Sequence, residues 1–316
     1  MALSIYRQER DVNSGADILA VVRHLSSNEE EDCRAAIEIL SDFERNRDLL
    51  DLVAANLEAV REEFDAFELR AKTVRKGALV HDPNEHRRLQ RVVLNFLNAV
   101  RLYLDHRQTH LTRRFGKDSP ELRAFNDCRR SQHQRIPEYA FVYELRNYVT
   151  HCGMPLQVIR GDQQLVEIDG REVLHANVMI GCNRDELLAN FRDWNYSRDF
   201  IQSQQREFPI LAALHTMKEC LDQIEIAVIQ ALMPSLWNAG RLVVGLMSEG
   251  CDADAIGLLL TLSSHPDSST RRTISFLLPP FDVLSWLQLV VLTDDAPGYR
   301  VLFDNLAIDS PPIVDL

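Results

Sequence analysis

Apolar positions recur every three to four residues along most of the chain, and this pattern predicts a mostly α fold. From Asn13 to about Ser26, Ile18, Val21, Val22 and Leu25 fall on one helical face. A second helix is expected from Ser27, where the acidic residues of Asn28–Asp32 occupy a first turn that the helix dipole makes favourable for them. It continues through Ala36, Ile37 and Ile39 toward Leu49. Leu52, Val53, Leu57, Val60, Phe64 and Phe67 then repeat the spacing over Leu50–Val74. Gly77 and His81–Asn84 mark a break. Glu85–Phe115 is the longest amphipathic stretch, with Leu89, Val92, Val93, Phe96, Val100, Tyr103, Leu104 and Leu111 on its apolar face. Gly116 stops it, and Ser119-Pro120-Glu121 reads as the start of the next segment. Arg129–Arg135 is polar, and Pro137 begins one more helix.

After Pro155 the period changes from helical to alternating. Leu156–Arg160, Gln164–Ile168 and Val173–Ile180 read as strands, with turns at Gly161-Asp162 and Asp169-Gly170. They predict a small antiparallel insertion at about 156–182. Asn183–Trp194 returns to a short helix and Ser197–Met233 to a long one, with Pro234 as its stop. Beyond it, short helices broken by Gly250, Pro266, Pro279-Pro280 and Pro297 are expected, then a loose tail over Asp309–Leu316. The domain reading is therefore N-terminal helices at 1–49, a helical bundle with its β insertion at 50–234, and a helical C-terminal appendage at 235–316.

Composition narrows the function classes. A hydrophobic fraction of 46 % is ordinary for a chain with a real core. A net charge of −12 argues against a uniformly nucleic-acid-binding surface and leaves room for a local basic patch. Cys33, Cys128, Cys152, Cys182, Cys220 and Cys251 form no CxxC pair, and no signal peptide is read, so reduced thiols in a cytoplasmic protein are expected. The most apolar run, Ile274–Leu292, is interrupted by Pro279, Pro280 and Asp282, so no membrane span is expected.

The chemistry-bearing candidate lies in Tyr139–Pro155, YAFVYELRNYVTHCGMP. A helix there carries Arg146, Asn147 and His151 and is ended by Gly153 and Pro155. An Arg five residues before a His is a weak signal by itself. With 31 arginines in the chain, chance supplies about one such pair at ordinary histidine frequency, and Arg101–His106 is one. The neighbour separates the two: Asn147 is polar, whereas Leu102 belongs to an apolar run. Asn147 and His151 share a helix face at i, i+4. Arg146 lies about 140° around from His151 on an ideal helix, so its long side chain or the helix end must bring the two together.

Arg-Asn-x-x-x-His at a helix end resembles the signature of the HEPN superfamily, whose members are helical nucleotide-binding domains and, in many cases, metal-independent ribonucleases. The resemblance covers roughly 50–233 and implies an up-and-down bundle. It further implies catalytic Arg146, Asn147 and His151, RNA as partner and no metal or cofactor. With one motif per chain it implies a homodimer placing two histidines on one RNA, and a role in defence or stress. Its rival is a non-catalytic HEPN-like module that binds a nucleotide or a partner protein. The residue types suit the implied reaction. RNA brings its own nucleophile, the 2′-hydroxyl. Histidine can take or give a proton near neutral pH, and arginine can clamp phosphate oxygens.

Between Arg87 and Arg135, twelve basic residues face four acidic ones, a net of +8 that leaves −20 elsewhere. Arg129, Arg130 and Arg135 are the candidate RNA contacts. The alternative is an ordinary solvated helix face paired with acidic neighbours. His106 and His110 could begin a zinc site, but no third ligand is spaced to join them. Serine-hydrolase, P-loop and dinucleotide motifs are absent from the sequence. Trp194-Asn195-Tyr196 could stack bases or simply pack.

Overall fold

In the computed structural model, residues 3–10, 17–73, 83–168, 171–251, 255–265, 268–292 and 299–301 are described. The expected breaks at Gly77 and His81-Asp82, the turns at Asp169-Gly170 and Pro266, Pro297 and the C-terminal tail lie outside them. The fold is mostly helical with small antiparallel sheets. It divides into two compact units, Met1–Arg47 with Gln230–Leu316, and Asp48–Ile229.

The first unit corrects the expected helices at both ends of the chain. β1 (Ser4–Arg10) and β2 (Asp17–His24) form an antiparallel pair, and β2 lies where a helix is expected over Asn13–Ser26. β6 (Ala255–His265) and β7 (Ser268–Phe276) form another within the supposed helical appendage. β1 and β6 join them into one sheet of order β2-β1-β6-β7, with Ser4 opposite Leu260. A short apolar run satisfies both periods, and here the partner strand, not the run, decides. Ile18, Val21 and Val22, read as an inward helix face, are 50 %, 49 % and 40 % exposed on the sheet edge, while Leu25 is buried. Arg23 of β2 bridges Glu29 and Glu249. α8 (Phe281–Trp286), directly after Pro280, stacks Trp286 on Phe43 with ring centres 5.3 Å apart.

The helices read over Ser27–Leu49 and Leu50–Val74 are one, α1 (Ser27–Thr73), and the long last helix, α7, is Leu211–Ser248. Both extend across the boundary between the units as the chain runs. Pro234 lies inside α7 instead of ending it. A proline removes one backbone hydrogen bond, and an otherwise favourable helix absorbs that loss.

The second unit holds the predicted bundle elements. α2 (Pro83–Phe115) buries the apolar face read from the sequence and ends at Gly116, whose φ of +93° is left-handed. α3 (Pro120–Arg135) starts as its sequence demands, with Ser119 Oγ accepting from the Leu122 amide and Pro120 in the first turn. A single extended residue, Ile136, separates it from α4 (Pro137–His151). α2, α3 and α4 pack on one another.

The β insertion is present as a long hairpin. β3 (Val158–Ile168) pairs with β4 (Arg171–Asn183) in continuous register. Gly161-Asp162, read as a turn, is inside β3 opposite Val178 and Asn177. The third strand is β5 (Glu207–Pro209), which the sequence had assigned to a helix over Ser197–Met233. That stretch is instead a 3-10 turn (Asn195–Ser197), α6 (Arg198–Ser203), β5 and the start of α7. Gly181 permits the β4–β5 contact, since a Cβ there would stand 1.9 Å from the Phe208 carbonyl oxygen. α5 (Arg184–Asn190) follows β4, its first amides capped by Asn183.

Beneath the helices, Arg107 is fully buried on α2 and paired with Glu225 of α7. Its Nε donates to Oε2 at 3.0 Å, and its second guanidinium nitrogen donates to Oε1 at 2.5 Å. The Tyr103 hydroxyl donates to the same Oε2 at 2.7 Å. This charge lies in the core, so it is no part of an RNA-binding face.

Candidate functional site

α4 carries the motif, and its own sequence explains how. Tyr139, Ala140, Phe141, Val142, Leu145 and Tyr148 are all buried, whereas Arg146 and Asn147 are half-buried and His151 is exposed. Tyr148 stacks on buried Trp194 and meets Phe191 edge-on. Trp194 also donates its indole N–H to the Leu187 carbonyl at 3.0 Å, so it is a packing residue and not a base-stacking one. The helix stops where the Cys152 amide bonds the Tyr148 carbonyl and Gly153 fits against the Tyr148 ring. Leu156 is then pinned to α2 by both of its backbone groups, through buried Gln90. The end of α4 is therefore held from both directions.

The three motif residues have different environments. Arg146 is half-buried, and its Nε has no hydrogen-bond partner among the described residues. Arg146 and Asn147 line a shallow crevice between α2 and α4 with Arg101, Tyr143 and apolar neighbours; its volume, about 10 Å³, is barely one water. His151 is exposed and is not among the crevice residues. The chain by itself thus brings Arg146 and Asn147 together and leaves His151 at the open helix end.

The obvious structural partner for Arg146 is otherwise engaged. Glu144 is 2 % exposed, and its Oε2 accepts from Ser197 Oγ at 2.5 Å. Its Oε1 is 3.8 Å from His133 Nε2. Burial pushes the Glu144 carboxyl up from its ordinary value, against the Ser197 hydrogen bond that pulls it down. In the competing Arg101–His106 pair, by contrast, Arg101 is held by Asp105 at 2.6 Å and by the Tyr143 hydroxyl at 3.2 Å.

Much of the basic segment is neutralised locally. Arg107 is buried, Arg88 lies 3.6 Å from Glu63, and Arg130 lies 3.7 Å from Asp127. Arg129 keeps its guanidinium over the Phe125 ring and donates to Gln108 at 2.9 Å. Arg129 and Arg130 line an open hollow formed by α3, α4 and the 3-10 turn, whereas Arg135 is exposed at the last residue of α3 and is not part of its lining.

His133 shares that hollow and was not singled out from the sequence, nor were Glu144 and Ser197 as its neighbours. The visible signals were a histidine inside a polar helix end and tyrosines at i, i+4, Tyr139 and Tyr143. Neither reveals that the end of α3 folds back on the start of α4. Burial, and after it the Arg129 charge, push the His133 imidazole down from its ordinary value. No family model, no curated protein and no solved structure matches this chain.

Proposed function

We propose that this protein is a HEPN-like endoribonuclease that cuts RNA without a metal and works as a homodimer. The observation that supports this reading is the state of Arg146. It is half-buried, makes no ion pair among the described residues and has an unpartnered Nε, while Glu144 serves Ser197 and His133 instead. An arginine kept for structure would be paired; an arginine kept for a phosphate is left available.

In the proposed step the RNA 2′-oxygen attacks the adjacent phosphorus and the bond from phosphorus to the 5′-oxygen breaks. One proton leaves the 2′-hydroxyl and one joins the departing 5′-oxygen, which the two His151 imidazoles of a dimer would exchange as base and acid. Arg146 stabilises the charge on the phosphoryl oxygens, and Asn147, one turn before His151, orients the imidazole or donates to the phosphate. Arg129, Arg130 and Arg135 hold the strand. A shared site also accounts for the small size of the crevice in one chain, because the partner's α4 would supply the facing wall.

The test is incubation with labelled single-stranded RNA, with and without excess chelator. Cleavage that persists and leaves 2′,3′-cyclic phosphate ends is expected. Strict dependence on magnesium or manganese would overturn the mechanism, since a metal would then be generating the nucleophile. RNA binding with no cleavage at any pH would favour the non-catalytic HEPN-like module.

A further inference from the structure

The hollow between α3, the first turns of α4 and the 3-10 turn is a different place from the Arg146–His151 end. Its volume is about 370 Å³, within the range of small-ligand sites. Its chemistry is divided. Arg129 and Arg130 supply positive charge, and among the described residues Arg130 is held by a long, exposed contact to Asp127. The rest is dominated by aromatic rings. His133 stands nearly perpendicular to Tyr139, Tyr143 and Tyr196, with ring centres 6.1, 5.3 and 5.1 Å away. Tyr196 is 58 % exposed, so it remains open to a stacking partner.

One buried polar atom in the wall of the hollow lacks a hydrogen bond among the described residues. The Tyr139 hydroxyl belongs to a fully buried side chain that lines the hollow, and it has no partner among the described residues. Buried polar groups are nearly always satisfied in folded proteins, so an orphaned hydroxyl in the wall of an open hollow leaves a place for a further hydrogen-bonding group. Asn126 and Gln134 add side-chain amides that can donate or accept.

We propose that this hollow binds a nucleoside monophosphate unit, with the base against Tyr143 and Tyr196 and the phosphate on Arg129 and Arg130. A bare anion would need only the arginines, and an uncharged aromatic only the tyrosines; the pairing of both with amide groups selects a planar ring carrying a phosphate. The unit comes either from a free nucleotide or from an unpaired residue of an RNA strand. The site stands on its own geometry and does not need cleavage at His151.

The experiment is equilibrium binding to the full chain. The probes are the four ribonucleoside 5′-monophosphates, the parent nucleosides, ribose 5-phosphate, inorganic phosphate and a five-residue single-stranded RNA. The His151→Ala chain is used throughout so that no probe is consumed. At least one monophosphate is expected to bind tenfold or more tightly than its nucleoside and than ribose 5-phosphate. Tyr196→Ala and Arg130→Ala, both at exposed side chains, should each weaken it at least fivefold with an unchanged melting temperature. A monophosphate that outcompetes the pentamer identifies a free nucleotide, and the reverse identifies a strand residue. Inorganic phosphate binding as tightly as every monophosphate would overturn the proposal. So would no binding of any nucleotide probe at millimolar concentration, or binding indifferent to both substitutions. Loss of mononucleotide binding with the pentamer still bound overturns this site alone, whereas failure of the pentamer as well counts also against the strand contacts proposed for Arg129 and Arg130.

Discussion

Three side chains on the last turns of α4 bear the proposed reaction, and single substitutions separate them from ornament. His151→Ala should abolish cleavage with little change in melting temperature, because the side chain is exposed. His106→Ala should leave cleavage nearly intact, and the reverse pattern would move the site to α2. The buried pair gives the opposite prediction. Glu225→Ala strips Arg107 of its counter-charge in the core and should cost about 3–5 kcal/mol in chemical denaturation. A further prediction concerns acid. The hydrogen bond from Arg23, above all, lowers the Glu29 carboxyl from 4.5 to about 2. A depressed folded-state value contributes stability that is complete above about 4.5 and is lost as pH falls toward about 2. Glu29→Gln should therefore flatten the dependence of melting temperature on pH in that window. At this scale the sequence showed Arg146, Asn147 and His151, because their relation is a spacing within one helix. It did not show His133 beside Glu144 and Ser197, because 11 residues and then 53 separate Glu144 from partners that only tertiary folding supplies.

Elements were legible where their signal is local. α2, α3 and α4 sit where periodicity, Ser119-Pro120, Gly116 and Pro137 put them. β2, β6 and β7 were misread because Ile18–Leu25 and Ile256–Leu262 are apolar runs whose period does not discriminate, and because the β1–β6 pairing that joins the two hairpins into one sheet links opposite ends of the chain. Pro234 and the proline-flanked β5 failed for a related reason: a strong local breaker was overruled in one place and obeyed in the other. Substitution can weigh this. Pro234 is exposed in α7, so Pro234→Ala should raise stability by up to about 3 kcal/mol in denaturant unfolding. Gly181→Ala, facing a backbone oxygen that cannot retreat without parting β4 from β5, should lower it by about 1–3 kcal/mol.

For the molecule as a whole, the net charge of −12 means that the proposed RNA substrate would have to be attracted locally against an unfavourable background. If Arg129, Arg130 and Arg135 make the phosphate contacts, the logarithm of the binding constant should fall with that of salt concentration with a slope of about −2. Replacing all three should nearly abolish that slope. The proposed dimer has its own test. Arg146→Ala and His151→Ala chains should each be inactive, and co-folding them should restore partial activity if each chain lends one residue. A chain that sediments as a monomer at micromolar concentration and still cleaves would contradict the shared site. The fold class, mostly helical with small antiparallel sheets, was readable at this scale because it sums over many local periods. The division into units was not, since it depends on the two ends of the chain meeting.

That meeting has a consequence during synthesis. Ser4 pairs with Leu260, so β1 leaves the ribosome long before the strand that completes it. At roughly 5–20 residues per second the delay is on the order of 12–50 s. Through it, the nascent chain carries a strand whose outer row of amides and carbonyls has only β2 on one side and nothing of its own on the other. Such an edge accepts any extended neighbour, including the same segment of the next chain on a polysome. Crowded translation should therefore drive this protein toward inclusion bodies, and slowing initiation, which spaces the ribosomes, should recover more soluble chain than strengthening any contact in the finished fold.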